Sequence, residues 1–285
     1  MIRLRSATAL LALCSGCVGV PSPLAPALEG SVGVPHLGAQ TSAVELPLSG
    51  PGFVRFRPYG QHHFALPRLV ELVSAAAERV ATEAPGGAPL VVGDLSARFG
   101  GKIQGHNSHR SGRDVDLLLY LTTPSGAPVR SPGFVAIDGD GLGRPASGGQ
   151  YVRLDVEREW LLVKTLLSSD RAGVQFMFLS KKLEALLIDY AIARGEPAEL
   201  IYRAETVLLQ PTDSTPHDDH IHLRIACAPS EAITGCSGGG PYWDWLPRAE
   251  TPGDLGPAEL LQIAADDPVS DESIAGSSPM VPGGA

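Results

Sequence analysis

The residues best able to do chemistry in this chain are its histidines, and they are unevenly placed. Of the eight, His106 and His109 fall in the stretch GHNSHRSGRDVDLLLY, and His217, His220 and His222 fall in PHDDHIHLRI. Both stretches also carry carboxylates, Asp114 and Asp116 in the first and Asp218 and Asp219 in the second. Imidazole nitrogens and carboxylate oxygens are the usual ligands of Zn²⁺, and a catalytic zinc holds three of them plus a water. Two such windows point to a hydrolytic metal centre. His36, His62 and His63, outside them, are expected to be solvated or simply hydrogen-bonded.

The spacing says how these groups could meet. Alternate residues of a strand share a face, so His220, His222 and Arg224 point one way while Ile221, Leu223 and Ile225 supply a core. Asp116 sits between Val115 and Leu117 in an apolar run, where a carboxylate is costly unless paired or metal-bound. Alone it could pair with Arg113 or cap a turn; beside His109 and an H-x-H strand it becomes a candidate ligand. Gly105 and Gly112 let the backbone around His109 turn sharply. Asp218 and Asp219 are placed to orient imidazole N–H groups, and Asp114 to cap the preceding loop or hold a histidine.

The elements that must carry these side chains are partly readable. Leu66, Leu69, Val70, Val73, Ala77 and Val80 recur at three- and four-residue steps, predicting an amphipathic helix that stops near Pro85-Gly86-Gly87. Leu183, Leu186, Leu187 and Tyr190 mark a second helix ending at Gly195. Apolar runs at 89–93, 115–121, 174–179 and 220–225 are too short for helices and read as strands. The mixture predicts an α+β domain: a small, mainly antiparallel sheet with flanking helices and long loops.

The 285 residues suffice for one good-sized domain, and 44% hydrophobic with 19% charged residues is a globular balance. The net charge of −9 offers no attraction to nucleic acid or to anionic membrane surfaces. Residues 1–17, with Arg3 and Arg5 ahead of a short apolar run, read as a secretory signal peptide. The end of this segment, Cys14-Ser15-Gly16-Cys17, resembles a lipobox with Cys14 in place of the usual leucine; lipidation of Cys17 would anchor the chain to a membrane, and plain cleavage would release it. Residues 18–45, rich in Pro, Gly and small side chains, read as a flexible linker. The domain then occupies 46–248, and 249–285 reads as a disordered acidic tail. In an exported chain Cys227 and Cys236 are expected to form a disulfide; two zinc thiolates are the weaker reading, since C-x₈-C is not a knuckle spacing.

At these residues the sequence resembles a known family. S-H-R-S-G-R-D-V-D (108–116) with H-D-D-H-I-H-L-R (217–224) is similar to the penicillin-insensitive murein endopeptidases. They belong to the wider group of lysostaphin-type, D-Ala-D-Ala carboxypeptidase and hedgehog-like zinc domains, whose pattern is H-x₆-D followed later by H-x-H. The narrower family adds a histidine three residues before each element, here His106 and His217. Gly93-Asp94-Leu95-Ser96 with Gly100-Gly101, and the cysteine pair after the H-x-H strand, also match. The likeness runs with gaps over about 50–245. It departs in the loop QPTDSTP before His217 and in the Gly-rich stretch 138–150, both bordering the expected cleft.

The resemblance implies a hedgehog/D,D-peptidase-like fold holding one Zn²⁺ per chain on His109, Asp116 and His222. His220 would act as base or stabilise the charged intermediate, and His106 and His217 would line the site. The implied substrate is the D-alanyl–meso-diaminopimelyl cross-bridge of peptidoglycan, in the periplasm. The H-E-x-x-H motif of other metalloproteases is absent, and no S-x-x-K lies near the histidine clusters. Two other readings stay open: a D,D- or L,D-carboxypeptidase on wall peptides, and a non-catalytic zinc-stabilised wall-binding module. His220 and the two extra histidines speak against the latter, because a structural zinc needs none of them.

Overall fold

Among the described residues, four α-helices form where apolar periodicity meets suitable ends. Helix α1 (Pro67–Glu83) opens on proline and buries Leu69, Val70, Leu72, Val73, Ala76, Ala77 and Val80 along one stripe. It stops one residue before Pro85-Gly86-Gly87. Helix α2 (Val156–Leu167) starts at Asp155, whose carboxylate accepts from the backbone N–H of Arg158. Helix α3 (Lys181–Ala193) gives way to Gly195, which takes a left-handed φ of +69°. Helix α4 (Ala198–Val207) follows Pro197 directly. Helix α2 packs against α1, α3 and α4. The structure, a computed structural model, describes residues 29–246 apart from positions 213, 233 and 239. The expected signal segment with Cys17 and the tail from residue 249 lie outside the described residues.

The helices cover one face of a seven-stranded mixed sheet. In spatial order its strands are Leu208–Leu209, Val174–Phe178, His220–Ile225, Asp114–Leu118, Leu90–Val92, Phe53–Arg55 and Ser49–Gly50. Two neighbouring pairs are parallel and the remaining four antiparallel. Thus the chain is α+β with mainly antiparallel pairing, as its pattern predicts. Val115, Leu117, Ile221, Leu223, Ile225 and Met177 join the side chains of all four helices in one buried core. The opposite face of the same central strands carries charge, and there the site lies. A smaller antiparallel sheet of Pro128–Val129, Leu121–Thr122, Val152–Leu154 and Leu142–Gly143 flanks it.

The expected flexible linker is too long at its C-terminal end. Ser31–Val34 and Leu37–Gln40 form an antiparallel hairpin, and Val44–Glu45 pairs with Phe64–Ala65. Glycine here serves close approach rather than disorder: a Cβ on Gly38 would lie 2.5 Å from the Val32 carbonyl oxygen. Side-chain bonds tie the hairpin to the domain. Gln40 Nε2 donates to the Ala97 carbonyl at 2.7 Å, and the fully buried Arg113 donates from Nε to Ser31 Oγ at 3.1 Å.

Candidate metal centre

Strand register builds the centre. His222 lies opposite Asp116 and Arg224 opposite Asp114, while Phe178 flanks His222 on the other side. Two residues apart, Asp114 and Asp116 share a face of their strand, and that face carries His220, His222 and Arg224 from the neighbour. The backbone of Asp94 meets this strand edge too, since Asp116 N–H donates to the Asp94 carbonyl at 3.0 Å. His109 comes in from the preceding loop. Its φ of +63° is left-handed, as are those of Gly105 and Gly112, and for a residue with a Cβ this conformation carries strain that the surroundings must hold. The restraints are visible: His109 N–H donates to Asp114 Oδ2 at 3.2 Å, and its Nδ1 donates to the Leu95 carbonyl at 2.9 Å.

Those bonds fix which ring nitrogens face inward. Because a carbonyl only accepts, His109 Nδ1 carries the proton and Nε2 offers a lone pair, 3.1 Å from Asp116 Oδ1. His222 donates from Nε2 to Asp114 Oδ1 at 2.9 Å, which turns Nδ1 toward Asp116 Oδ1 at 3.4 Å. His220 gives Nδ1 to Asp219 Oδ1 at 2.5 Å and holds Nε2 3.5 Å from Asp116 Oδ1. His106 gives Nε2 to Asp94 Oδ2 at 3.1 Å, with Nδ1 3.8 Å from Asp116 Oδ2.

The donor set fits a metal ion. His109 Nε2 and both oxygens of Asp116 are buried and make no hydrogen bond. His109 Nε2 and Asp116 Oδ1 lie 3.1 Å apart without being aligned as donor and acceptor. Buried polar atoms left so are costly unless something binds them. His106, His109 and Asp116 form one group of potential ligands, and His217, His220 and His222 another. The two groups adjoin, with 4.6 Å between the ring centroids of His109 and His222.

Electrostatics suits the same purpose. Burial pushes His222 down to about 4 despite the hydrogen bond it donates to Asp114, so it is neutral and able to ligate. His217 is pushed down to about 4 by burial and by neighbouring His220. Burial alone would raise both aspartates. The neighbouring imidazole of His109 instead holds Asp116 far below the usual carboxylate range, and the charge of Arg224, with the hydrogen bond from His222, does so for Asp114. His220 runs the other way: burial resists, yet the bond to Asp219 and the charge of Asp116 raise it above an ordinary histidine.

All six residues expected at the centre, His106, His109, Asp116, His217, His220 and His222, come together here. Asp114 holds His222, and Asp219 holds His220. Asp218 is different. Its side chain bonds to no site histidine, and its carbonyl oxygen accepts from Ile137 N–H at 2.8 Å. His36 is exposed as expected, but His63 is buried with neither ring nitrogen hydrogen-bonded. Sequence reasoning missed the side-chain role of Asp94, and also Phe134 and Phe178, whose rings lie 5.2 Å from His220 and 5.3 Å from His222. The family likeness of Gly93-Asp94-Leu95-Ser96 was the available signal for Asp94. Cys227 and Cys236 form a disulfide, so the cluster they make with Glu231 is no thiolate site.

Comparison with known proteins covers the first half of this centre. The family model described as penicillin-insensitive murein endopeptidase matches residues 31–131, a span that holds Asp94, His106, His109, Asp114 and Asp116 and ends before the H-x-H strand. A penicillin-insensitive murein endopeptidase of Klebsiella pneumoniae subsp. pneumoniae is 24% identical over 200 residues, covering 69% of this chain and 66% of that protein. The chain is related to the penicillin-insensitive murein endopeptidases. A second relative of that name, from another Klebsiella pneumoniae strain, aligns with the same identity and coverage. One from Yersinia enterocolitica is 31% identical over 85 residues, 30% of each chain. Aligned residues therefore span just under two thirds of the Klebsiella endopeptidases. The family resemblance read from 108–116 and 217–224 agrees with these matches.

Proposed function

We propose that this chain is an exported zinc-dependent peptidoglycan endopeptidase that hydrolyses D-alanyl–meso-diaminopimelyl cross-bridges. The observation that carries the reading is the convergence of three lone-pair atoms, His109 Nε2, Asp116 Oδ1 and His222 Nδ1, which leaves His109 Nε2 and Asp116 Oδ1 buried without hydrogen bonds. These three residues would hold one Zn²⁺, a set of two imidazoles and a carboxylate typical of hydrolytic zinc. When bound, zinc supplies Lewis acidity, bringing the pKa of a water to about 7 and polarising the peptide carbonyl.

The chain's own residues do the rest. His220, fixed through Nδ1 by Asp219, presents Nε2 to the site, takes a proton from the attacking water and returns it to the departing amine. Asp114 fixes the tautomer of His222, as the Leu95 carbonyl does for His109. His106 and His217 line the opening and orient water or substrate. Phe134 and Phe178 exclude water from the two imidazoles of the H-x-H strand. The relatives' name suits a wall substrate, and the leader-like segment with Cys17 suits the periplasm and a lipid anchor. No helix among the described residues is long and apolar enough to cross a membrane.

Digestion of purified sacculi tests the reading. Wild-type protein should convert cross-linked muropeptide dimers to monomers without removing terminal D-alanine from monomers. Chelator and His220→Ala should each abolish the conversion. Loss of terminal D-alanine alone would assign a carboxypeptidase, and unchanged muropeptides in every digest would refute both activities.

A further inference from the structure

Two arms of contacts leave the metal centre and meet at one side chain. The first runs from Asp116 to His106 and on to Asp94, whose Oδ2 also accepts from Arg57 Nη1 at 3.1 Å. The second runs from His220 to Phe134, edge to face at 5.2 Å, and then to Phe56 at 5.7 Å. The guanidinium of Arg57 lies over the Phe56 ring at 5.4 Å. Arg57 therefore closes a ring of contacts that has Asp116 at its opposite end.

The state of that guanidinium is unlike that of an ordinary surface ion pair. Its partner Asp94 is 8% exposed and already engaged by His106, whereas Arg57 itself is 57% exposed. One nitrogen, Nη1, is used, and no hydrogen bond from Nε or Nη2 is made among the described residues. A carboxylate beneath and an aromatic ring beside it hold the group in place. Its free edge matches a planar anion in the two-bond geometry that arginine favours.

The proposed substrate supplies such an anion. In a D-alanyl–meso-diaminopimelyl bridge the nitrogen of the scissile amide sits on a carbon that also bears a carboxylate. The group to be recognised is thus one carbon from the leaving amine. A chain with a net charge of −9 has no diffuse attraction for such a peptide, so a local cation must provide it.

Resting on that proposed activity, we propose that Arg57 determines specificity by binding the carboxylate adjacent to the scissile nitrogen. The site then takes peptides whose amine-side residue carries a free carboxylate and discriminates against those in which it is amidated.

Two peptides test this: a D-alanyl–meso-diaminopimelyl peptide, and the same peptide with that carboxylate converted to carboxamide. Wild-type protein should cleave the acid with kcat/KM about 10–100-fold above the amide, the range expected for a charge-assisted hydrogen-bonded pair. Arg57→Gln should bring the two to parity by slowing the acid alone. Arg57→Lys, which keeps charge but loses the fork, should fall between them. Thermal midpoints should match wild type, since the side chain is mostly exposed. A wild-type protein without preference, or an Arg57→Gln that keeps it, overturns the proposal. If wild type cleaves neither peptide, the proposed activity fails by itself, and direct binding decides the specificity claim. In that case equal affinity of wild type and Arg57→Gln for the acid overturns it, and a selective loss by Arg57→Gln sustains it.

Discussion

His222 Nε2 and Arg224 Nε donate to the same oxygen, Asp114 Oδ1, at 2.9 and 2.6 Å. One fully buried carboxylate thereby orients a proposed ligand and neutralises a cation two residues further along the same strand. Asp114→Asn should weaken zinc binding about 10–100-fold, the usual cost of removing a partner that orients a metal-bound imidazole. It should also destabilise the fold by about 3–5 kcal/mol, because Arg224 is left buried without its anion. Competition with a chelator and denaturant unfolding read the two effects separately. Unchanged zinc affinity would remove Asp114 from any role at the centre.

His109 and His220 should fail in different ways. His109→Ala deletes a buried lone pair aimed at the proposed metal position, and its zinc content should drop from one per chain to near none. His220→Ala should keep its zinc yet lose about 10²–10⁴ in kcat, the range for a missing proton-transfer group. Elemental analysis beside muropeptide kinetics distinguishes them. Full zinc occupancy in His109→Ala would refute the ligand set.

Far from the site, Glu159 of α2 is fully buried. Its Oε2 accepts from Tyr120 N–H at 2.8 Å, while Oε1 has no hydrogen-bond partner. Burial, helped by the charge of Asp155, pushes its pKa up to about 8. The folded state thus holds a proton that the unfolded chain releases near 4.5. Stability from this group is full below that value, declines as pH rises toward about 8, and is lost beyond it, at roughly 1.4 kcal/mol per pH unit in between. Glu159→Gln keeps an acceptor for Tyr120 and abolishes the titration. Its unfolding free energy relative to wild type should therefore grow steadily from pH 5 to pH 8, and parallel pH profiles would refute the buried neutral acid.

The Cys227–Cys236 bridge closes a short loop that contains Glu231, and Glu231 bonds Arg68 Nη2 at 2.7 Å and the Ser31 N–H at 3.2 Å. Replacing both cysteines by serine should cost about 2–3 kcal/mol through the freed unfolded chain. Amide exchange should quicken first in Ser31–Val34, whose anchor is that loop. If exchange there is unaltered, the loop does not secure the hairpin.

Much of the centre was legible because strand parity is local. An H-x-H flanked by Ile221, Leu223 and Ile225 can face only one way, and the H-x₆-D spacing marks His109 and Asp116. Helices α1 and α3 were equally plain in their apolar steps. Helix α2 was not, because Arg158 and Glu159 lie on its buried side and interrupt the stripe that periodicity seeks. The hairpin at residues 31–40 was hidden by glycine and proline, which here serve turns and close approach. Asp94 and Arg57 could not be paired with His106 beforehand, since their meeting depends on how the strands Leu90–Val92 and Phe53–Arg55 lie in the sheet. The left-handed backbone of His109 likewise follows from contacts that spacing does not encode.

The register that sets His222 against Asp116 and Arg224 against Asp114 also constrains how such a chain can change over generations. A lineage that dispensed with the proposed metal could not simply let one of its proposed ligands drift. Each would leave behind a buried acid or base whose partner no longer answers it, in strands whose other face is the core. Descendants without catalysis should therefore show Asp114, Asp116, His222 and Arg224 replaced together, and one altered alone should be rare.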